Sequence, residues 1–171
     1  MATSFQYTPV FRTLTLEHTI RLTPNELNDK DINSVITYYL KRDVGDKCTK
    51  EGYVKKDSIN ILQRTIGKIN TRFLDGSINY KVIYSADICC PRVGDIYEAT
   101  FIEINKSGIL AEKVGTPLNI VLPKDLHTDK SLYKQLSSDD NGRSIAIEIM
   151  GMKFLQNTRV LSVIGKLVGL P

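Results

Sequence analysis

Cysteine is scarce in this 171-residue sequence, and long apolar runs are absent from it. No stretch approaches the roughly 18–20 uncharged apolar residues that a membrane-spanning helix needs. The three cysteines, two of them the adjacent pair Cys89 and Cys90, do not make a disulfide framework. The first residues have neither the basic nor the apolar region of a secretory signal. These features predict a chain in a reducing compartment. With 42% hydrophobic and 25% charged residues, the sequence is typical of a folded protein and not of a disordered one.

The sequence also lacks the motifs of the common enzyme classes. It has no phosphate-binding glycine loop, no nucleophile-elbow serine motif, no His-Glu-x-x-His pair and no acidic calcium loop. The residues that could bind zinc are scattered along the chain: His18, Cys48, Cys89, Cys90 and His127. Asp139 and Asp140 are predicted to lie in a solvated loop. We therefore expect no catalytic residue, no metal and no cofactor.

Positive charge is concentrated in the first half of the chain. Residues 1–86 carry 13 Lys and Arg against 9 Asp and Glu, whereas residues 87–171 carry 10 of each. Within the first half, residues 41–81 hold 10 basic against 5 acidic residues. Such a run is either an ordinary solvated surface or a face that meets phosphate or an acidic partner, and composition leaves both interpretations open.

The first half has the pattern of a mixed α+β unit. Apolar and polar residues alternate over residues 11–22, which predicts a half-buried strand with His18 on its apolar side beside a partner. Thr23, Pro24 and Glu26 then form a helix-start signal, and an apolar stripe follows, so we expect one long helix over residues 24–42. Strand-like pieces follow at residues 48–55, 58–68 and 77–85.

From residue 93 onward the pattern is that of short strands alone. We predict strands over residues 96–104, 109–113, 118–122, 144–152 and 159–166, with a polar excursion over 131–142 before the fourth. This is the plan of a small five-stranded OB-type barrel. Tyr97 and Phe101 share a face of the first barrel strand, and we expect them inside the barrel, although an outward pair would offer a stacking surface. The boundary between the two domains is placed at 86/87.

Three blocks of sequence share their order and spacing with one known family. The first joins residues 11–24 to 44–54, and the second joins 66–69 to 75–84. The third contains Val93-Gly94-Asp95 within residues 91–100, followed by 104–112 and Gly115. Together they resemble the seventh-subunit family of RNA polymerase II, which has a counterpart in the archaeal RNA polymerase. The likeness covers nearly the whole chain, from residue 11 to its end.

The resemblance implies a non-catalytic stalk subunit of a DNA-directed RNA polymerase. Residues 1–86 would form a truncated ribonucleoprotein-like domain, one long helix on a small antiparallel sheet, and residues 87–171 an S1-like OB domain. The expected partners are the core polymerase subunits, a smaller helical stalk subunit of the fourth-subunit family, and nascent single-stranded RNA. A eukaryotic member would be nuclear, and an archaeal or viral one would lie in the cytoplasm or virion. Docking on the core is assigned to one glycine-hinged tip: Gly45, Gly52, Gly67, Lys68, Ile69, Arg72 and Phe73.

The barrel is also where we look for RNA binding. OB folds bind nucleic acid on one sheet face and on the loops at its rim, and the rim cations here are Lys106, Lys113, Arg143, Lys153 and Arg159. Where many S1-like domains have an aromatic residue on the second strand, this sequence has Ile109 and Leu110. We therefore expect weak RNA binding without sequence preference. The alternative function is a stand-alone S1-like RNA-binding module in translation or RNA decay.

Overall fold

A computed structural model describes residues 6–27, 31–73, 75–127, 136 and 142–170. The described chain forms a six-stranded sheet with one α-helix, followed by a closed five-stranded barrel. The sheet strands are β1 (Phe11–Leu22), β2 (Lys47–Thr49), β3 (Gly52–Val54), β4 (Asn60–Arg64), β5 (Lys68–Ile69) and β6 (Ile78–Cys89). The barrel strands are β7 (Ile96–Asn105), β8 (Gly108–Glu112), β9 (Leu118–Pro123), β10 (Ser144–Lys153) and β11 (Leu161–Gly169). Helix α1 spans Ile32–Val44, and 3₁₀ turns lie at Pro24–Glu26, Lys56–Ser58 and Lys124–Leu126.

Strand β6 is the centre of the antiparallel sheet. It pairs with β1 along its whole length, from Leu22 opposite Ile78 to Phe11 opposite Cys89. Its other edge is shared by β5, β4 and β3, in that order from its first residue to its last. The predicted strand 48–55 is in fact the β2–β3 hairpin, because Gly52 takes a backbone φ of +128° that a continuous strand cannot contain. The predicted strand 58–68 is likewise divided into β4 and β5.

The predicted helix over residues 24–42 was wrong at its start. Glu26 accepts hydrogen bonds from the Thr23 amide (2.7 Å) and hydroxyl (2.8 Å), but this capping box closes only a 3₁₀ turn. The α-helix begins at Ile32, where the Asp31 carboxylate caps the amides of Asn33 and Ser34. Residues 28–30, which belong to the predicted helix, lie outside the described residues. The helix ends at Val44, directly before Gly45 as predicted.

One face of α1 belongs to the same apolar core as the sheet. Val35, Ile36, Leu40 and Val44 of the helix are buried in a cluster with sheet residues such as Val82. Because these helix positions recur every three to five residues, they form the single apolar stripe that the sequence predicts. On β1, His18 is half-buried, and its Nε2 lies 3.8 Å from the Asp43 carboxylate of α1. The expectation of a half-buried histidine beside a partner is therefore confirmed.

The second half is a closed OB-like barrel. Its strand order is β10–β11–β9–β8–β7, and all neighbours are antiparallel except β9 and β11. Tyr97 and Phe101 are buried in its core, so the inward alternative is confirmed. His127 follows the 3₁₀ turn after β9, and its Nε2 accepts a hydrogen bond from the Leu167 amide (2.9 Å). Its Nδ1 therefore carries the proton and donates a hydrogen bond to the Pro123 carbonyl (2.8 Å). Both ring nitrogens are therefore committed to the backbone.

The sheet and the barrel share apolar side chains and backbone hydrogen bonds. Phe11, Cys89, Tyr53 and Cys48 lie directly opposite one another on four neighbouring strands, so their side chains share the face that packs on the barrel core. The edge of β2 is covered by the β10–β11 loop, because the Cys48 amide donates to Thr158 (2.7 Å) and the Cys48 carbonyl accepts from Asn157 (2.9 Å). Strand β6 continues past residue 86, and the domain division at 86/87 stays a prediction.

Candidate functional site

The two most exposed apolar side chains of the described sheet, Ile66 and Ile69, lie in and next to β5. We call residues 66–76 the tip, of which residue 74 lies outside the described residues. Ile66 is 90% exposed, Ile69 73% and Phe73 53%. Lys68 and Arg72 are exposed beside them. Large apolar side chains held in water next to cations are typical of a protein-docking surface.

Arg21 of β1 holds the tip in one conformation. Its Nε donates to the Ser77 hydroxyl (3.0 Å), and its Nη2 forms an ion pair with the Asp75 carboxylate. Its guanidinium also lies over the Phe73 ring, 4.4 Å from the centroid. Hydrogen bonds from the Ser77 hydroxyl and amide, and then the Arg21 charge, lower the pKa of Asp75 to about 2. Because the Arg21 side chain contacts Ser77, Asp75 and Phe73 together, the exposed Phe73 ring is held in a defined position.

Glycine is required at both ends of the tip. A Cβ on Gly67 would lie 2.3 Å from Cγ2 of Ile78 and 2.8 Å from the ring of Tyr80. Gly76 has a backbone φ of +69°, which side chains other than glycine rarely adopt. Gly67 therefore allows the chain to lie close to β6, and Gly76 allows a tight turn of the backbone. Neither glycine acts as a loose hinge.

The structure does not bring the two predicted parts of the tip together. Gly45 and Gly52 lie beside the β2–β3 hairpin at the Cys89 end of β6, whereas Gly67, Lys68, Ile69, Arg72 and Phe73 lie near its first residue. Eleven steps of about 3.3 Å along β6 separate these ends by roughly 36 Å. Gly52 packs against the Cys89 carbonyl, which a Cβ would approach to 2.5 Å. The two early glycines thus have a packing role, and they do not share a surface with the residues around Gly67.

The five predicted RNA-binding cations are also dispersed. Lys106 lies in the β7–β8 turn beside the end of β9, because Gly108 is opposite Pro123. Lys153 and Arg159 flank the β10–β11 loop beside the start of β9, because Leu161 is opposite Leu118. The length of β9, about 17 Å, separates these two groups.

The other two cations flank β7 near its middle. The Lys113 ammonium donates to the Glu98 carbonyl (2.8 Å), and the Arg143 carbonyl accepts from the Phe101 amide (2.9 Å). These positions follow from strand register, which the sequence alone does not specify. The five cations therefore surround the barrel instead of forming one patch.

The face on which OB folds usually bind bases is aliphatic and acidic here. The outer surface of β8 and β9, the second and third barrel strands, presents Leu110, Glu112, Asn119 and Val121. Glu103 of β7 is directly opposite Leu110. Because Ile109 points inward and is buried, neither residue at the usual aromatic position offers a ring. This face has no surface on which a base could stack.

Sequence reasoning missed a cleft between the sheet and the barrel. It has a volume of about 360 Å³, and its lining includes Phe11, Tyr53, Lys55 and Arg159. The Lys55 ammonium lies 5.6 Å from the centre of the Phe11 ring. Burial and the nearby Asp46 carboxylate, which accepts from the Tyr53 hydroxyl (3.2 Å), raise the pKa of Tyr53 to about 12. No local motif could have indicated this cleft, because its residues come from four separate segments.

Cys89 is a buried thiol at the end of β6. Burial raises the pKa of Cys89 to about 12, so this thiol stays protonated. Within the described ranges, no group of three or more His, Cys, Asp and Glu side chains could hold a metal ion. Asp139 and Asp140 lie outside the described residues. Among the helices of the described chain, none is long and apolar enough to cross a membrane.

Comparison with known proteins assigns no family to the chain. No protein-family model matches the sequence, and a search of the curated proteins found no match. Any functional conclusion therefore rests on the geometry of the surfaces described above and on the sequence resemblance.

Proposed function

We propose that the chain is a non-catalytic stalk subunit of a multisubunit DNA-directed RNA polymerase. In this proposal the sheet and α1 are a truncated ribonucleoprotein-like docking domain, residues 1–86, and the barrel is an S1-like OB domain, residues 87–171. The tip docks on the core polymerase, a smaller helical subunit of the fourth-subunit family completes the stalk, and the barrel lies near nascent RNA. The proposal rests on the sequence resemblance, which covers nearly the whole chain.

The structural observation that supports the proposal is the exposed and braced tip. Ile66, Ile69 and Phe73 expose most or about half of their surface to water, which costs solubility unless a partner covers them. Arg21 holds the Phe73 ring in place, so docking requires little additional ordering of this side chain. Lys68 and Arg72 add positive charge, which favours an acidic rim on the partner.

RNA binding has a secondary place in this proposal. The barrel presents dispersed cations and no ring on its β8–β9 face, so contact with RNA would be through phosphate and would be weak. The alternative, a stand-alone S1-like RNA-binding module, depends on that face for affinity and leaves the exposed tip without a role. The stalk proposal accounts for both features.

Charge reversal at the tip tests the proposal. We expect Lys68→Glu with Arg72→Glu to weaken assembly onto the core polymerase at least tenfold, while thermal unfolding of the free protein is unchanged because both side chains are exposed. Lys50→Glu with Lys56→Glu is the matched control, since it changes the same charge at the other end of β6. Unchanged assembly of the tip variant, or equal weakening of the control, would show that the tip is not the docking surface.

A further inference from the structure

The outer face of the barrel carries a row of aliphatic side chains that crosses four strands. Leu110 of β8 is opposite Val121 of β9, Val121 is opposite Ile164 of β11, and Ile164 is opposite Gly151 of β10. We call Leu110, Val121, Ile164 and the adjacent Met150 the aliphatic row. Val121 is 38% exposed, Met150 42% and Ile164 46%, whereas Leu110 is half-buried.

The β10 end of the row is open. The register of β10 against β11 shifts between Ile149 and Gly151, and Met150 is the additional residue at this shift. A Cβ on Gly151 would have no atom of the described chain within 4 Å, and Ile164 opposite it is 46% exposed.

The residues beside the row carry charge of opposite sign at its two ends. Two residues further along each strand, on the same outer face, a parallel polar row contains Glu112, Asn119, Ser162 and Lys153. Glu103 lies opposite Leu110 at the β7 side. On the other side of the row, Glu148 of β10 lies opposite Lys166 of β11. The β8 end of the aliphatic row is therefore acidic, and the β10 end has an excess of positive charge from Lys153.

This pattern is unsuited to nucleic acid. Phosphates are repelled by the Glu103 and Glu112 carboxylates, and aliphatic side chains provide no ring for base stacking. A protein segment, in contrast, can bury the aliphatic side chains and pair with both charged ends.

We propose that the aliphatic row binds an amphipathic helix of a partner protein. Four strands about 4.8 Å apart give a row roughly 14 Å long, which matches about ten helical residues at 1.5 Å each. The helix presents aliphatic side chains at every third or fourth position, with Lys or Arg at the end that meets Glu103 and Glu112 and Asp or Glu at the end that meets Lys153. This inference does not depend on the polymerase proposal, because the row lies on the barrel and not at the tip.

Site-specific photo-cross-linking in the cells that make the protein tests the inference. A benzophenone amino acid replaces Asn119, which is exposed next to Val121, and in a control protein it replaces the exposed Thr15 of β1. The cross-linked segment is then sequenced by mass spectrometry. We expect one protein segment with aliphatic residues at helical spacing and a basic end, captured at least tenfold more from position 119 than from position 15.

A substitution within the aliphatic row tests whether the cross-linked partner binds the row itself. Ile164→Lys in the Asn119 cross-linker protein should reduce capture at least tenfold, whereas Thr15→Lys, which adds the same charge at an exposed position of β1, should reduce it less than threefold. Because Ile164 is exposed, unfolding temperature should be unchanged, and Val121→Thr serves as a milder variant if it is not. Nuclease-sensitive cross-links would show that the face binds RNA, and self-cross-links would show that it binds a second copy. Both of these results would overturn the inference. So would a captured segment without the helical aliphatic pattern, or capture no greater than from position 15.

Discussion

Removal of the apolar side chains at the tip should weaken docking strongly while leaving the free protein folded. Ile69 and Phe73 expose 73% and 53% of their surface, and a partner that covers them gains that fraction of their burial energy. Full burial of such side chains contributes about 1.5–3 kcal/mol each, so the two together contribute roughly 3 kcal/mol. Ile69→Ser with Phe73→Ser should therefore weaken binding to the core polymerase about 100-fold.

The same substitutions should lower the free energy of unfolding by about 2–3 kcal/mol, because the part of each side chain that is already buried in the free protein is lost. They also remove the stacking of Arg21 on Phe73, and an exposed cation–π interaction contributes about 0.5–1 kcal/mol of this loss. Biolayer interferometry with immobilised core polymerase and urea unfolding of the free protein measure the two quantities. Val93→Ser with Val114→Ser is the matched control, because these valines are as exposed as the tip residues but lie on the barrel side. Equal loss of binding in this control, or no loss in the tip variant, would refute the reasoning.

Three further predictions concern the barrel and the brace of the tip. His127→Ala leaves the buried Leu167 amide without its acceptor, so the free energy of unfolding in urea should fall by about 1–3 kcal/mol. The pKa of Asp75 is lowered to about 2 from 3.8, so its contribution to tip stability is complete above pH 3.8 and is lost as pH falls through about 2. The amide resonance of Ser77 should titrate with that midpoint in NMR spectra, and Asp75→Asn should abolish the titration. Single-stranded RNA should bind weakly, with an affinity that falls steeply as salt is raised, and fluorescence anisotropy should show equal weakening on all sequences when four cations are changed to Ala: Lys106, Lys113, Arg143 and Lys153. Tight binding in molar salt would contradict this last prediction.

Strand β1 and the barrel strands were predictable because their signal is local. Alternation of apolar and polar residues gave the bounds of β1 over residues 11–22, and each predicted barrel strand lies within about three residues of the observed one. The helix start was not predictable with the same certainty, because Thr23 and Asp31 both provide capping signals eight residues apart. Only tertiary packing decides that the first closes a 3₁₀ turn and the second begins α1.

The surfaces depended on information that no local pattern contains. Assigning Gly45, Gly52 and the residues around Gly67 to one tip required knowing which end of β6 each segment pairs with, and register is a long-range property. No local sequence pattern indicates the aliphatic row either, because its members lie on four strands and are separated by up to 54 positions in the chain. The rim cations were found by residue type, but their separation along β9 follows from the parallel pairing of β9 with β11.

The loop between β10 and β11 has a consequence for how relatives of this chain can vary. Surface loops usually accept insertions and deletions, because little depends on their length. Here Asn157 and Thr158 take the place of a neighbouring strand for β2, so any change in loop length would shift them away from Cys48 and leave the edge of the sheet open. Evolution should therefore treat this connection as part of the sheet and keep its length constant, because the two bonds join backbone atoms. Length variation should instead accumulate in the β8–β9 loop, where Val114 and Gly115 are exposed.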